Sequence, residues 1–179
     1  MARKDSLGRK NPAVAAAPRS DSFLLRIIGG EWRGRKIRFP QVAAIRPTPD
    51  RVRETLFNWL QGVTSGSRCL DLYAGSGALG LEALSRGARE VVFVDVETAV
   101  KRHLEEMLRL LRCDRGRVVQ ADAVAFLTQP GEPFDVIFLD PPFAEPVLPE
   151  VCRRIEVGGW LKPGGLVYIE SPAAAGEPE

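Results

Sequence analysis

Asp140-Pro141-Pro142-Phe143, running directly out of the apolar stretch Phe134-Asp135-Val136-Ile137-Phe138-Leu139, carries the sharpest chemical meaning in this 179-residue chain. Two consecutive prolines remove two backbone donors and restrict φ, so the carbonyls at this strand end are held outward and away from any ladder. An amine attached to an aromatic ring is a poor nucleophile, because its lone pair is delocalised. An Asp140 oxygen and the Pro141 carbonyl can accept both of its N–H bonds and draw the nitrogen towards a tetrahedral geometry. Phe143 can stack on the ring, a contact of about 1–3 kcal/mol. The competing reading is a rigid turn with a buried Phe143.

A second constellation lies upstream, where Asp71-Leu72-Tyr73-Ala74-Gly75-Ser76-Gly77-Ala78-Leu79-Gly80 ends one apolar run and opens a helical pattern. Glycines permit a sharp turn and let the backbone approach a ligand at the positive end of a helix. Asp95 closes the next strand 20 residues after Gly75, where a ribose-binding carboxylate belongs in a nucleotide-binding βαβ unit. Together they predict an adenosine-containing ligand approached by Tyr73, Gly75, Ser76, Gly77 and Gly80. A dinucleotide fold has no acid inside its first strand. Asp71 instead suits the ammonium of a methionine moiety and would repel a pyrophosphate, which favours S-adenosylmethionine over a nicotinamide cofactor. The alternative for Asp71 is a loop or helix-capping role. Asp122 is read either as a contact to the adenine amine or as the cap of a helix from Ala123 to Leu127. A sulfonium is already a good leaving group, so alignment of amine, methyl and sulfur supplies much of the rate and no metal is required. Asp140 either takes the departing proton or only orients the amine.

The elements that must position these groups follow from periodicity. Cys69 to Tyr73, Glu90 to Asp95, Arg117 to Ala121, Phe134 to Leu139 and Leu166 to Glu170 are short apolar or β-branched runs, with helical patterns at Leu79 to Arg86 and Thr98 to Leu111. Repeated βα units predict an α/β fold: a mostly parallel sheet, helices on both faces, and ligands beyond the carboxyl ends of the strands. Before them, Leu24 to Ile28 and Arg35 to Phe39 read as a basic β-hairpin around Gly29-Gly30-Glu31-Trp32-Arg33-Gly34. A helix capped by Asp50 follows, with Val52, Leu56, Trp59 and Leu60 as its apolar positions. Trp32 either stacks on an unpaired base or packs against the body. His103 reads as a solvated side chain, Leu104 and Met107 as core. The expected organisation is a disordered basic tail over 1–22, a basic hairpin and helix over 23–62, and a catalytic domain over 63–179.

The net charge of +2 conceals an asymmetry: residues 1–53 hold 13 Lys and Arg against 4 Asp and Glu, leaving 12 against 19 for the remainder. A front of +9 on a body of −7 suits a polyanionic partner. No apolar run approaches the roughly 20 residues of a membrane span. The three cysteines have no metal-type spacing, so a soluble, cytoplasmic, monomeric protein with reduced thiols and no metal is expected.

The segments RIIGGEWRGRKIRFP, RPTPDRVRETLFNWL, CLDLYAGSGALGLEALSRGA and FDVIFLDPPF resemble the RsmD-type 16S rRNA guanine-N2 methyltransferases of bacteria. The resemblance runs from about Leu25 to Glu170. It implies a Rossmann-like class I S-adenosylmethionine-dependent methyltransferase fold and cofactor binding by Asp71, Gly75, Gly77 and Asp95. It further implies a flipped guanine of 16S rRNA held by Asp140 to Phe143, within an assembling 30S subunit. Arg33, Arg35, Lys36, Arg46, Arg51 and Arg53 are then the RNA-contacting cations. Methylation of a DNA adenine or a protein glutamine, and an inactive RNA-binding assembly factor, are the competing readings. Three departures stand out: Asp95 where relatives carry Glu, Met107 or its neighbours where they tend to carry Asn, and a C-terminus ending in SPAAAGEPE. Methyltransferases of this class continue into a hairpin that completes a seven-stranded sheet. The expectation here is therefore that the C-terminal strands are missing and the fifth strand has an exposed edge.

Overall fold

In the computed structural model, which describes residues 22–40, 48–142 and 147–171, a two-stranded antiparallel sheet precedes a five-stranded parallel one. Strands β1 (Ser22–Arg26) and β2 (Lys36–Pro40) form the hairpin, with Leu25 facing Ile37. Helix α1 (Asp50–Trp59) leads to β3 (Arg68–Asp71), α2 (Ala78–Ser85), β4 (Glu90–Asp95), α3 (Thr98–Leu110) and β5 (Gly116–Gln120). The chain continues through α4 (Ala123–Phe126), β6 (Phe134–Leu139), α5 (Leu148–Val157) and β7 (Leu161–Ile169). The parallel sheet has the order β5-β4-β3-β6-β7. Its direction of winding reverses at β3, the switch point at which doubly wound sheets open a crevice for ligands. Of the basic tail expected over residues 1–22, residues 1–21 lie outside the described residues, as do Arg46 and Phe143, while Ser22 opens β1. No helix among the described residues is long and apolar enough to cross a membrane.

Alternation along the strands divides the core into two layers. Cys69, Val91, Phe93, Val136 and Phe138 face the hairpin, α1, α2 and α3, whereas Leu70, Val92, Val94, Ile137 and Leu139 face α4, α5 and Trp160. Both faces of the central strands are therefore apolar, as a parallel sheet covered on both sides requires. The period of two has a consequence at the carboxyl ends. Asp71, Asp95, Asp140 and Glu170 continue the rows 69–71, 91–93–95, 136–138–140 and 168–170, so four adjacent strands finish with an acid on the hairpin side of the sheet.

Several local expectations need correction. Leu56 and Leu60 of α1 are buried, but Val52 is exposed and Trp59 is 76% exposed. The buried stripe is Arg53, Leu56, Phe57 and Leu60, at i, i+3, i+4 and i+7. Phe57 meets Phe138 of β6 with centroids 5.9 Å apart. Asp50, expected as the cap, is the first helical residue and makes no cap bond. Its carboxylate instead reaches Arg26 at 3.2 Å and Arg53 at 2.6 Å. β7 begins five residues earlier than the apolar run from Leu166, through Lys162-Pro163-Gly164-Gly165 with a register irregularity. Among the described residues β5 and β7 are the sheet edges. An apolar groove of about 420 Å³ lies between α5 and β7, lined by Cys152, Ile155, Leu161, Val167 and Ile169, away from the glycine loop.

The hairpin is not a loose appendage. Glu82 of α2, fully buried, accepts the N–H groups of Ile28 and Gly29, both at 2.8 Å, and pairs with Arg86 at 2.7 Å. Ser85 adds bonds to Gly29 O and Trp32 N. Trp32 is buried, with the Arg115 guanidinium over its ring, so of its two readings the structure shows packing. Arg53 completes the junction: its guanidinium, 0% exposed, binds Thr48 O, Arg26 O, Asp50 and Glu82.

Candidate functional site

The loop from Asp71 to Gly80 is built by two left-handed glycines and one close contact. Gly75 and Gly77 have φ of +48° and +76°, and a Cβ at Gly77 would stand 2.5 Å from Leu104 Cδ2. Gly80 lets α2 close onto the sheet, since a Cβ there would meet the Phe93 ring at 2.2 Å. Within this frame the expected cofactor residues divide in two. Tyr73, Gly75 and Asp95 are part-exposed and line the opening, while Asp71, Ser76, Gly77 and Gly80 are buried beneath it.

Asp95 Oδ2 accepts the Gly75 N–H at 2.9 Å and Oδ1 accepts Glu97 N–H at 2.9 Å, so the acid of β4 is tied to the loop after β3. Each carboxylate oxygen keeps a further lone pair, and the group remains part-exposed. Asp71 differs: it is 2% exposed and Oδ2 accepts the Gly80 N–H at 2.9 Å. That is the loop-bracing geometry. Burial raises its pKa to about 8, with the neighbouring Asp140 and Asp95 charges adding to the rise. Asp122 caps α4 by accepting Ala125 N–H at 2.9 Å, and of its two readings the structure shows that one.

His103 is 6% exposed, not solvated. It lies 6.2 Å from the Phe39 ring of β2 and hydrogen-bonds the main chain of Ser76 in the glycine loop. Its Nε2 finds no partner among the described residues. Burial lowers its pKa, so the ring stays neutral between hairpin and loop. Its two neighbours on α3, Leu104 and Met107, are core as expected.

Asp140 stands at the carboxyl end of β6, followed by a buried Pro141 and an exposed Pro142. Its Oδ2 accepts the Thr48 hydroxyl at 3.3 Å. Thr48 is itself 5% exposed, in the segment that enters α1. Burial raises the Asp140 carboxyl to about 6, the Glu170 charge pushes it further up, and the Thr48 bond works against both. Thr48 and Glu170 had no distinguishing mark in the sequence. Thr48 could have been found only by asking what the Arg46-Pro47-Thr48 segment touches, and Glu170 only by extending the strand alternation to the last residue.

Of the expected RNA-contacting cations, Arg33, Arg35, Lys36 and Arg51 are exposed. Arg53 is a correction: a guanidinium enclosed by four internal partners presents nothing to a phosphate. Arg38, exposed on β2, extends the basic strip instead.

The acids fit a cationic, adenosine-bearing ligand. Asp95 and Asp140 stand at the open end of a glycine loop that no Cβ could enter at Gly77, with Asp71 buried between them and close enough to feel both charges. No group of His, Cys, Asp and Glu among the described residues has the arrangement of a metal site.

A family profile described as conserved hypothetical protein 95 matches residues 25–179. The ribosomal RNA small subunit methyltransferase D of Escherichia coli (strain K12) is 48% identical over 159 residues, covering 89% of this chain and 80% of that protein. The protein of the same description from Haemophilus influenzae is 45% identical over 155 residues, 82% of this chain and 78% of that one. The solved structure of yhhF from Escherichia coli superimposes with a TM-score of 0.81 at 45% identity, covering 88% of this chain and 86% of that one.

Proposed function

The chain belongs to the conserved hypothetical protein 95 family, that of the ribosomal RNA small subunit methyltransferase D enzymes, and on that footing we propose that it methylates the N2 amine of one guanine in 16S rRNA from S-adenosylmethionine. The observation that carries the reading is Asp140, a half-buried acid beside two prolines at a strand end, one strand away from the glycine loop.

Bound in that loop, S-adenosylmethionine would supply an electrophilic methyl on a sulfonium. Asp95 is placed to hold the ribose hydroxyls while its loop-facing oxygen keeps Gly75 in position. Asp71 braces α2 through Gly80 and leaves the opening to Tyr73, Gly75 and Asp95. Asp140 accepts one N–H of the guanine amine and the Pro141 carbonyl the other, turning the lone pair towards the methyl. Alignment then supplies most of the rate. With its carboxyl raised to about 6, Asp140 is ionised at neutral pH yet basic enough to take the proton that the nitrogen sheds. The exposed Arg33, Arg35, Lys36 and Arg38 on the hairpin offer the RNA backbone a docking strip. A base in an RNA loop is cheaper to extrude than one in a duplex.

The test is methyl transfer from labelled S-adenosylmethionine to unmodified small ribosomal subunits and to their stripped RNA, followed by nucleoside digestion and mass analysis. Labelled N2-methylguanosine, lost in Asp140→Ala while cofactor binding by thermal shift persists, is the expected result. A methyl on any other atom sinks the reading.

A further inference from the structure

Glu170 sits beside Asp140 on the neighbouring strand. Leu139 pairs with Ile169, and Glu170 N–H donates to Leu139 O at 2.8 Å, so the next residues in the two parallel rows are Asp140 and Glu170. Parallel strands stand about 4.8 Å apart, and residues level with one another project to the same face. Tyr168, two residues back on that face, donates its hydroxyl to Glu170 Oε2 at 3.3 Å, which fixes the carboxylate from below. Thr48 does the same for Asp140 from the α1 side. Among the described residues neither acid has an ion-pair partner. The sheet thus holds two part-buried carboxylates side by side, each with one oxygen engaged by a hydroxyl and the other meeting no donor among the described residues.

We infer that Glu170 is the residue that selects guanine, accepting the ring N1–H while Asp140 accepts the amine N–H next to it. The inference rests on the functional reading above and adds what chooses the base. On the pairing edge of the four RNA bases, guanine alone offers two adjacent donors, the ring N1–H and the exocyclic amine. Adenine and cytosine place a bare ring nitrogen beside their amine, and uracil flanks its N–H with carbonyls, so a second carboxylate at that spot repels all three. Two acids one strand apart match two parallel N–H vectors on one ring. Their mutual repulsion in the free protein, felt in the raised Asp140 carboxyl, is relieved when the donor pair arrives. Only Asp140 belongs to the Asp-Pro-Pro-Phe motif; Glu170 contributes by lying level with it.

The experiment replaces the accepting guanine with 2,6-diaminopurine in an RNA substrate of otherwise unchanged sequence. That base keeps the reacting amine but presents an acceptor where guanine has N1–H. Single-turnover methyl transfer is measured on both RNAs with the full chain and with Glu170→Gln, each checked for S-adenosylmethionine binding by thermal shift. The wild type should favour guanine by roughly 10- to 100-fold, the range expected for a hydrogen bond to a charged group. Glu170→Gln, whose amide can donate to the bare nitrogen, should narrow that ratio by about tenfold or more. A guanine-methylating wild type indifferent to the swap overturns the role of Glu170 and leaves the functional reading standing, whether or not the variant folds. A folded variant with an unchanged ratio does the same. A wild type that makes no N2-methylguanosine overturns both.

Discussion

The hydroxyl of Thr48 donates to Oδ2 of Asp140 across 92 residues of sequence, at 3.3 Å. The main-chain carbonyl of Thr48 is at the same time held by Arg53, 3.1 Å away. The acid at the end of β6 is therefore oriented from the N-terminal segment, and that segment is fixed by the buried junction of Arg53 and Glu82.

Removing the Thr48 hydroxyl should shift the pH dependence of methyl transfer. The bond favours ionised Asp140, so in Thr48→Val the carboxyl rises above its present value of about 6. Activity that requires the carboxylate is lost as pH falls through that value, and the acid limb of the variant's pH–rate profile moves upward. Thr48→Ser should restore the wild-type limb. An unmoved limb in a folded Thr48→Val protein would exclude Asp140 as the titrating group.

Arg53→Met should destabilise the fold by about 3 kcal/mol, because it breaks a buried ion pair and leaves the fully buried Glu82 with Arg86 as its remaining counter-charge. Urea melts measure this. Arg53→Met combined with Glu82→Gln should recover part of the loss, since the buried charge is gone while the amide oxygen still accepts one of the Ile28 and Gly29 N–H groups. Equal stability of the single and double variants would mean that the ion pair is not what holds the junction.

Arg33, Arg35 and Lys36 should act on RNA through charge alone. Changing all three to Ala should weaken binding and lower the slope of log affinity against log salt by roughly 2, at about 0.7 per single-strand phosphate contact. Filter binding over a salt series reads both. A weakened affinity with an unaltered slope would contradict a phosphate-contacting role.

Asp71 makes a pH-dependent contribution to stability. Its folded pKa of about 8 stands above the unfolded 3.8, so the native state holds a proton that the unfolded chain releases, and stability falls as pH rises through this window. His103, whose pKa is lowered, acts in the opposite sense only below about 6.5, and Asp140, raised to about 6, acts below that value. Between pH 6.5 and 8 the slope belongs chiefly to Asp71, at up to about 1.4 kcal/mol per pH unit. Asp71→Asn should flatten it in urea titrations. A slope that survives the substitution would place the proton elsewhere.

The parallel sheet was legible because its strands are apolar on both faces: Glu90–Asp95 and Phe134–Leu139 are bounded as their composition predicts. The glycine loop and Asp140 were legible for the same local reason, being motifs whose chemistry is written in consecutive residues. What escaped was set by contacts between distant segments. Arg53 looks like every other arginine of the basic front until Glu82, Thr48 and Arg26 close around it. His103 reads as surface on α3 until β2 and the glycine loop cover it. Asp71 and Asp122 each carried two readings that sequence could not separate, and the structure shows the bracing or capping one for each, through backbone N–H groups at Gly80 and Ala125. The face of α1 was misjudged because Trp59 outranks Arg53 in apolarity, yet the guanidinium, fully paired, goes inward and the indole outward.

The attachment of the hairpin to α2 turns the basic strip into a gauge. With Glu82 and Ser85 gripping Ile28, Gly29 and Trp32, the strip has no tether along which to wander. On the proposed function, a backbone resting on Arg33 and Lys36 would lie at a set span from Asp140, as between the jaws of a caliper. A nucleotide of suitable chemistry but the wrong distance from the docking point would then stay out of reach, and selection of one position in a long polymer would begin with length before any base is inspected.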